Sequence, residues 1–204
     1  NGVGERAGRH LLEGTRTVIN HAGIPHKLWP LAGRYVAFAN NIEVKNGDSA
    51  WNKRHQSGQW AGPKFPFGCL VDYLPVPDQP GVVKDVKTQG KNAKMDVPTM
   101  RGIFLGLYLQ PGGLWEGEYL LADLDCFVDI NFVTCQGPKG KRAVKVQRVL
   151  DVWCDLTKPF EFPLKEEYDK AFRTLKGRKT QLEGIGSAMA VSYTHLRAHE
   201  TTHD

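Results

Sequence analysis

The stretch IFLGLYLQPGGLWEGEYLLA (residues 103–122) places two apolar runs on either side of a turn. Apolar residues recur with a period of two over Ile103–Leu109 and over Glu118–Ala122, which is the spacing of β-strands. Pro111 followed by Gly112 is a type II turn signal, because glycine adopts the positive φ that this turn requires. The stretch therefore predicts two strands joined by a tight turn.

Three further segments predict short strands before and after this pair. They are Phe67–Leu74, Cys126–Phe132 and Ala143–Val149. Short strands joined by tight turns are typical of a small antiparallel barrel. The loop from Pro75 to Pro98 is long and rich in Pro, Gly and Lys.

The N-terminal part of the chain has a helical period instead. A predicted buried stripe comprises Leu11, Leu12, Thr15, Val18, Ile19 and Ala22. Gly23 and Pro25 end this helix, and a second helix is predicted from Lys27 to Asn41 with Pro30 in its first turn. Its residues expected to face the first helix are Trp29, Ala32, Val36 and Ala39. Two amphipathic helices do not bury both stripes alone, so we expect a fragment whose helices need a sheet outside this chain.

The remaining segments are less regular. Residues 43–64 are polar and predict a linker, in which Trp51 and Trp60 are candidate anchors. Residues 164–177 predict one helix. The expected organisation is 1–48 for the helices, 49–64 for the linker, 65–150 for the β-module, 151–190 for a weakly structured extension and 191–204 for a tail.

Composition favours an ordinary globular chain with a polyanionic partner. Hydrophobic residues make up 41% of the sequence, and the four cysteines lack the C-x-x-C spacing of zinc knuckles and thioredoxin-like motifs. No apolar run approaches the ~20 residues of a membrane helix. The net charge is +5, and Gln136–Leu150 carries five basic residues and no acidic one. Such a run binds a polyanion or forms a solvated face.

The tail HETTHD (residues 199–204) fits the H-E-x-x-H signature of zinc proteases. We interpret His199, Glu200 and His203 as a spurious match, because such sites need a third ligand, normally downstream of the helix. Residues 191–204 also resemble translated sequencing-adapter sequence, and three of the seven histidines fall in these fourteen residues. We therefore expect the tail to be an artefact and exclude it from fold reasoning.

The first 29 residues, NGVGERAGRHLLEGTRTVINHAGIPHKLW, resemble the end of the catalytic core of copia-type retrotransposon integrases. The family pattern is N-G-V-x-E-R, an Arg four positions after the Glu, then L-L-E, R-T, G-[LI]-P and a Trp. The residues in register are Asn1, Gly2, Val3, Glu5, Arg6, Arg9, Leu11, Leu12, Glu13, Arg16, Thr17, Gly23, Ile24, Pro25 and Trp29. FPFGCLVDYLP (65–75) resembles the family's F-G-C strand, and residues 94–121 resemble its I-F-L-G-Y segment, although Leu107 follows Gly106 where Tyr is usual. The resemblance covers roughly residues 1–150.

The resemblance implies an α+β fragment: a helical remnant of an RNase H-like integrase core followed by a small antiparallel SH3-like β-barrel. It implies DNA integration by metal-dependent strand transfer as the function of the parent protein, in the nucleus or in a cytoplasmic particle. The expected partners are DNA and other integrase subunits, with no membrane. The alternative is a noncatalytic nucleic-acid-binding or assembly module of a polyprotein.

Glu5 matches the Glu that completes the D-D-E triad of the family. In these enzymes three carboxylates hold two Mg²⁺ ions for in-line displacement at a phosphodiester. Both Asp of the triad lie upstream of the Glu in the family, so Glu5 is here a single metal ligand. We therefore predict that the chain alone is inactive and does not bind Mg²⁺ stably; the alternative is that Glu5 is an ordinary first-turn Glu.

Candidate DNA contacts lie at both ends of the region of resemblance. Arg9 and Arg16 share a helix face with Glu5 and are expected to reach phosphates, or else to form a solvated face in which Arg9 pairs with Glu13. The second group, near the last predicted strand, comprises Arg142, Lys145 and Arg148.

The last predicted strand suggests how the second group is presented. Lys145 and Gln147 alternate with Val144 and Val146, which predicts one basic and one buried face. Nonspecific binding to the DNA backbone, driven by counterion release, is the functional interpretation. The alternative is an edge strand kept soluble by its lysine.

Overall fold

The computed structural model describes residues 2–75, 99–137 and 144–173. Its helices are α1 (Gly2–Ala22), α2 (Trp29–Ile42), α3 (Ala50–His55) and α4 (Lys165–Arg173), with 3-10 turns at His26–Leu28 and Leu124–Phe127. Its strands are β1 (Val44–Lys45), β2 (Asp48–Ser49), β3 (Leu70–Tyr73), β4 (Met100–Leu109), β5 (Trp115–Asp123), β6 (Gln147–Val149) and β7 (Val152–Trp153). The predicted α+β class is confirmed, and β3 to β7 form a five-stranded antiparallel sheet. The described residues up to Lys165 form one compact unit, and the described residues 166–173 belong to a second.

Helices α1 and α2 form a hairpin whose contact surface is apolar. The buried residues of the two helices are Thr15, Ile19, Ala22, Ala32, Val36 and Phe38. The helices approach closely at Gly14, where a Cβ atom would lie 2.8 Å from Cγ1 of Val36. Half of the ten predicted stripe residues are buried and three are partly buried, but Leu12 is 52% exposed and Trp29 is 57% exposed.

A glycine ends α1 as predicted. Gly23 has φ of +70°, and the amides of Gly23 and Ile24 both donate to the carbonyl of Ile19, at 2.9 and 3.1 Å. This left-handed cap satisfies a carbonyl that the helix end leaves free. Helix α2 begins at Trp29, two residues after the predicted start, because residues 26–28 form a 3-10 turn; Pro30 lies in the first turn as expected.

The hairpin packs against the chain's own sheet. Tyr35 of α2 lies 5.5 Å from Phe67 between ring centroids, and its hydroxyl donates to the carbonyl of Phe65 at 3.2 Å. At the end of α1, a Cβ atom on Gly68 would lie only 2.4 Å from the Cβ of Ala22. The expectation that both helical stripes need a sheet outside this chain is therefore wrong for this end of the hairpin.

Residues 43–64, predicted as a linker, contain β1, β2 and α3. Their tryptophans are anchors: Trp60 lies 5.0 Å from Phe38 of α2 and 5.2 Å from Trp115 of β5, between ring centroids. Trp51 packs on both Phe38 and Trp60. Aromatic contacts of this kind add stability beyond the buried area, so the segment is tied to the helices and to the sheet.

The strand order of the sheet is β6-β5-β4-β3-β7, which puts consecutive strands β6 and β7 at opposite edges. A flat sheet would separate its first and fifth strands by about 19 Å. Strand β6 ends at Val149 and β7 begins at Val152. The chain between these two residues spans at most about 11 Å. The sheet is therefore strongly curled. No ladder joins β6 to β7 among the described strands, so the predicted barrel is not closed.

The predicted strand Cys126–Phe132 is wrong. Residues 124–127 form a 3-10 turn, and Asp129 has φ of +56°. The side chain of Asn131 accepts hydrogen bonds from the amides of Val133 and Thr134. Such side-chain-to-backbone bonds satisfy amides that a strand would offer to its neighbour. The other four predicted strands overlap β3, β4, β5 and β6.

Helix α4 belongs largely to the second unit, of which residues 166–173 are described. Ion pairs one turn apart link Lys170 to Glu166 at 2.8 Å and Arg173 to Asp169 at 3.1 Å. Such pairs support an exposed helix face modestly. The helix predicted within residues 164–177 is confirmed over its described part.

A polar triad crosses the interior of the curled sheet. Gln147 Nε2 donates to the hydroxyl of Tyr73 at 2.8 Å and to Oδ1 of Asp123 at 3.2 Å, and the Tyr73 hydroxyl donates to the same carboxylate. Strand β3 is separated from β6 by two other strands, so this contact depends on the curl. Burial, followed by the charge of Asp125, raises the pKa of Asp123 above its usual value.

We expect Asp123→Asn to be less destabilising than Asp123→Ala. The amide oxygen accepts both hydrogen bonds, whereas alanine leaves two buried donors unsatisfied at about 1–3 kcal/mol. Because the folded-state pKa of Asp123 is raised, wild-type stability falls as pH rises through the unfolded pKa to the folded one. The Asn variant lacks this loss. Urea unfolding at several pH values checks this, and an Asn variant that weakens relative to wild type as pH rises contradicts it.

We expect Gly68→Ala to lower the free energy of unfolding by about 2–4 kcal/mol, from a steric clash and a strained left-handed φ. Gly112→Ala is the matched control, because Gly112 also has positive φ, of +91°, but has open space around it. The control should lose only about 1–2 kcal/mol. Equal losses measured by urea unfolding would show that the contact with Ala22 has no role.

Candidate nucleic-acid interface

The predicted charged residues of α1 lie on one exposed helix face. Glu5, Arg9 and Arg16 are all exposed, and every residue from 2 to 10 is exposed. Glu5 and Arg9 are separated by about 6 Å along the axis, and Arg9 and Arg16 by about 10 Å. The face therefore presents two guanidinium groups at a spacing that suits a run of phosphates.

Glu5 lies in the first turn of α1, where the helix dipole favours a carboxylate. In the described part of the chain, no group of three His, Cys, Asp or Glu residues is placed to hold a metal ion. A two-metal site needs several carboxylates that converge on both ions. The described residues therefore do not fit the Mg²⁺ pair that the resemblance implies, and Glu5 remains a single candidate ligand.

The predicted DNA contacts near the last strand differ in how far their charges are free to bind. Arg148 lies on β6, with its guanidinium carbon 4.5 Å from the ring centroid of Tyr108 and Nη1 3.8 Å from Oε2 of Glu118. Lys145 is exposed and precedes the strand. Arg142 lies outside the described residues. Of these predicted contacts, Lys145 is therefore an exposed lysine beside β6, and Arg148 is an arginine that is already partly neutralised.

The predicted alternation around Lys145 is wrong at one position. Gln147 is buried, whereas Arg148 points outward. The cause is the polar triad, because the Gln147 amide binds Tyr73 and Asp123 inside the sheet. Residues 144–146 precede β6, so the strand periodicity does not extend to them.

Sequence analysis missed Tyr108 and Glu118 as partners of Arg148. They lie on β4 and β5, and Arg148 is opposite Leu120 in the β5–β6 register. Cross-strand neighbours depend on strand pairing and register, and a single sequence carries no signal for either at this position. His199, Glu200 and His203 lie outside the described residues.

A groove lies between α1 and the start of α2. Sequence analysis did not predict this groove. Its volume is about 330 Å³, and its walls include Leu12, Ile19 and Trp29 with Arg16. His26 also lines it, and burial lowers the pKa of this imidazole. The sequence contains only an indirect sign of this groove. Leu12 and Trp29 occupy apolar positions of the predicted stripes, and the structure leaves both exposed.

Comparison with protein families, curated proteins and solved structures finds no match to this chain. Among the residues that the structure describes, no helix is long and apolar enough to span a bilayer.

Proposed function

We propose that this chain is the C-terminal part of a copia-type retrotransposon integrase and that it contributes DNA binding to the parent enzyme. The parent reaction is metal-dependent DNA strand transfer. The observation that carries the proposal is the placement of the motif: residues 1–29 span α1, its glycine cap and the start of α2, with Glu5 and the arginines exposed.

The same proposal assigns the two parts of the fold to domains. The helical hairpin is the end of an RNase H-like core, and the curled sheet is an SH3-like module. Support for the second assignment comes from the short antiparallel strands and from the curl that follows because only two residues link edge strands β6 and β7.

The chain alone should not carry out strand transfer. The in-line displacement needs two cations held by several carboxylates, and Glu5 has no converging partner among the described residues. A Mg²⁺-dependent strand-transfer assay on the purified chain tests this. We expect no product with a DNA end substrate, and product formation would contradict the proposal.

DNA binding is assigned to exposed arginine and lysine side chains, acting on phosphates. Arg9 and Arg16 are the main candidates, with Lys145 as a third. Arg148 should contribute less, because Glu118 and Tyr108 already hold its guanidinium. Each neutralised phosphate releases counterions, so binding must weaken as salt rises.

We expect the double variant Arg9→Ala/Arg16→Ala to bind duplex DNA more weakly than wild type and to reduce the slope of log K against log[salt] by about 2. Arg101→Ala/Lys158→Ala removes the same charge and is the matched control. Both of its side chains are exposed and paired, to Glu161 at 3.7 Å and to Asp155 at 3.0 Å. Titrations between about 50 and 200 mM salt measure the slope.

Equal slopes for the two double variants would place DNA binding elsewhere than on α1. Absence of any wild-type binding at low salt would remove the DNA-binding proposal altogether. These outcomes differ, because the first retains the function and changes only its location.

The alternative function is a noncatalytic nucleic-acid-binding or assembly module. It is favoured by the exposed side chains of Arg9, Arg16 and Lys145, which can bind phosphates without any metal chemistry. The reading frame upstream of the chain separates the two proposals. Two Asp codons within core-strand patterns support the integrase, and their absence supports the module.

A further inference from the structure

Two tryptophans stand apart from the aromatic network of the chain. Trp51, Trp60 and Trp115 contact one another or neighbouring rings. Trp29 and Trp153 make no ring contact among the described residues, and they are 57% and 49% exposed. Trp29 differs from Trp153 because it lines the groove along α1.

The charge of this groove is one-sided. Arg16 carries the full positive charge of this groove, burial lowers the pKa of His26, and no carboxylate among the described residues lines the groove. The groove on the other side of α1, between His10 and Asn40, does include an acid, Glu13. The acid-free groove therefore suits an anionic ligand, whereas its neighbour does not.

The apolar part of the groove needs a flat, uncharged ligand group. Leu12 and Ile19 line it beside the exposed indole of Trp29. A volume of about 330 Å³ lies at the small end of ligand pockets, which run from about 300 to 1,000 Å³. A single planar ring system next to a phosphate matches both the apolar wall and the arginine.

We propose that this groove binds an unpaired nucleobase of a single-stranded or frayed nucleic acid, with the base stacked on Trp29 and an adjoining phosphate held by Arg16. A paired base is not accessible for such stacking because its neighbours cover both faces. Base–indole stacking tolerates any sequence, since every base has a π-face. This inference rests on the proposed function and adds a single-strand subsite to it.

The first test compares variants of the full chain on a single-stranded oligonucleotide. Trp29→Ala should weaken binding about 5- to 100-fold, the effect of losing one stacked base. Trp29→Phe should retain most of the affinity, and Trp29→Leu, which keeps apolar contact but no π-face, should resemble Ala. Trp153→Ala is the matched control for an exposed tryptophan and should bind like wild type.

The second test separates stacking from backbone contact. A strand of equal length with abasic positions keeps its phosphates and lacks the bases. Wild type should bind this strand more weakly than the intact one, and Trp29→Ala should bind both strands alike. The two changes should be non-additive, as expected for partners in one contact. A ribose strand of the same sequence, run in parallel, identifies whether DNA or RNA is preferred.

Three results overturn the subsite. The first is intact-strand binding by Trp29→Ala equal to wild type. The second is an equal loss in Trp29→Ala on intact and abasic strands, because the residue would then act through structure. The third is a change of oligomeric state in Trp29→Ala without a change in base-dependent binding, which makes the groove a protein contact. In each case, salt-dependent duplex binding by wild type preserves the proposed function, and its absence removes both.

Discussion

The contact between Ala22 and Gly68 decides how the two halves of this molecule meet. Only a glycine admits the end of α1 at this point, since a Cβ atom there would lie 2.4 Å from the Cβ of Ala22. The amide of Gly68 also donates to the carbonyl of Phe104 on β4 at 2.7 Å, which fixes the backbone of Gly68. Gly23 is equally confined by the backbone of Lys165. The charged face of α1 is thereby held in one orientation relative to the sheet.

The helix end and the turn could be predicted from the sequence because each depends on the backbone preferences of one or two residues. Gly23 ends α1 because it adopts a left-handed φ, and Pro111 with Gly112 marks the turn between β4 and β5. The segment Cys126–Phe132 was mistaken for a strand, since its apolar spacing hid the turn chemistry around Asn131. Strand order and curl depend on non-local pairing, which one sequence does not specify.

The sequence predicts which basic residues form the candidate site, but it does not predict what surrounds them. The sequence identifies Arg9, Arg16 and Lys145 as basic, and the structure places all three at the surface. The sequence does not reveal that Glu118 and Tyr108 contact the Arg148 guanidinium, because those two residues lie on other strands. Gln147 is buried against its apparent period for the same reason: its partners, Tyr73 and Asp123, are distant in sequence. Glu5 remains a candidate known from the motif, and its surroundings provide no metal site among the described residues.

Hairpin and sheet form one cooperative unit in this fold, so that α1 presents its arginines from a fixed base. Native-state hydrogen exchange tests it most directly, because amides in one unit share one opening free energy. We expect Ile19 of α1, Val36 of α2 and Phe104 of β4 to exchange with the same free energy and the same denaturant dependence. If Ile19 and Val36 exchange through an opening of much lower free energy than Phe104, the hairpin folds independently of the sheet and the account is wrong.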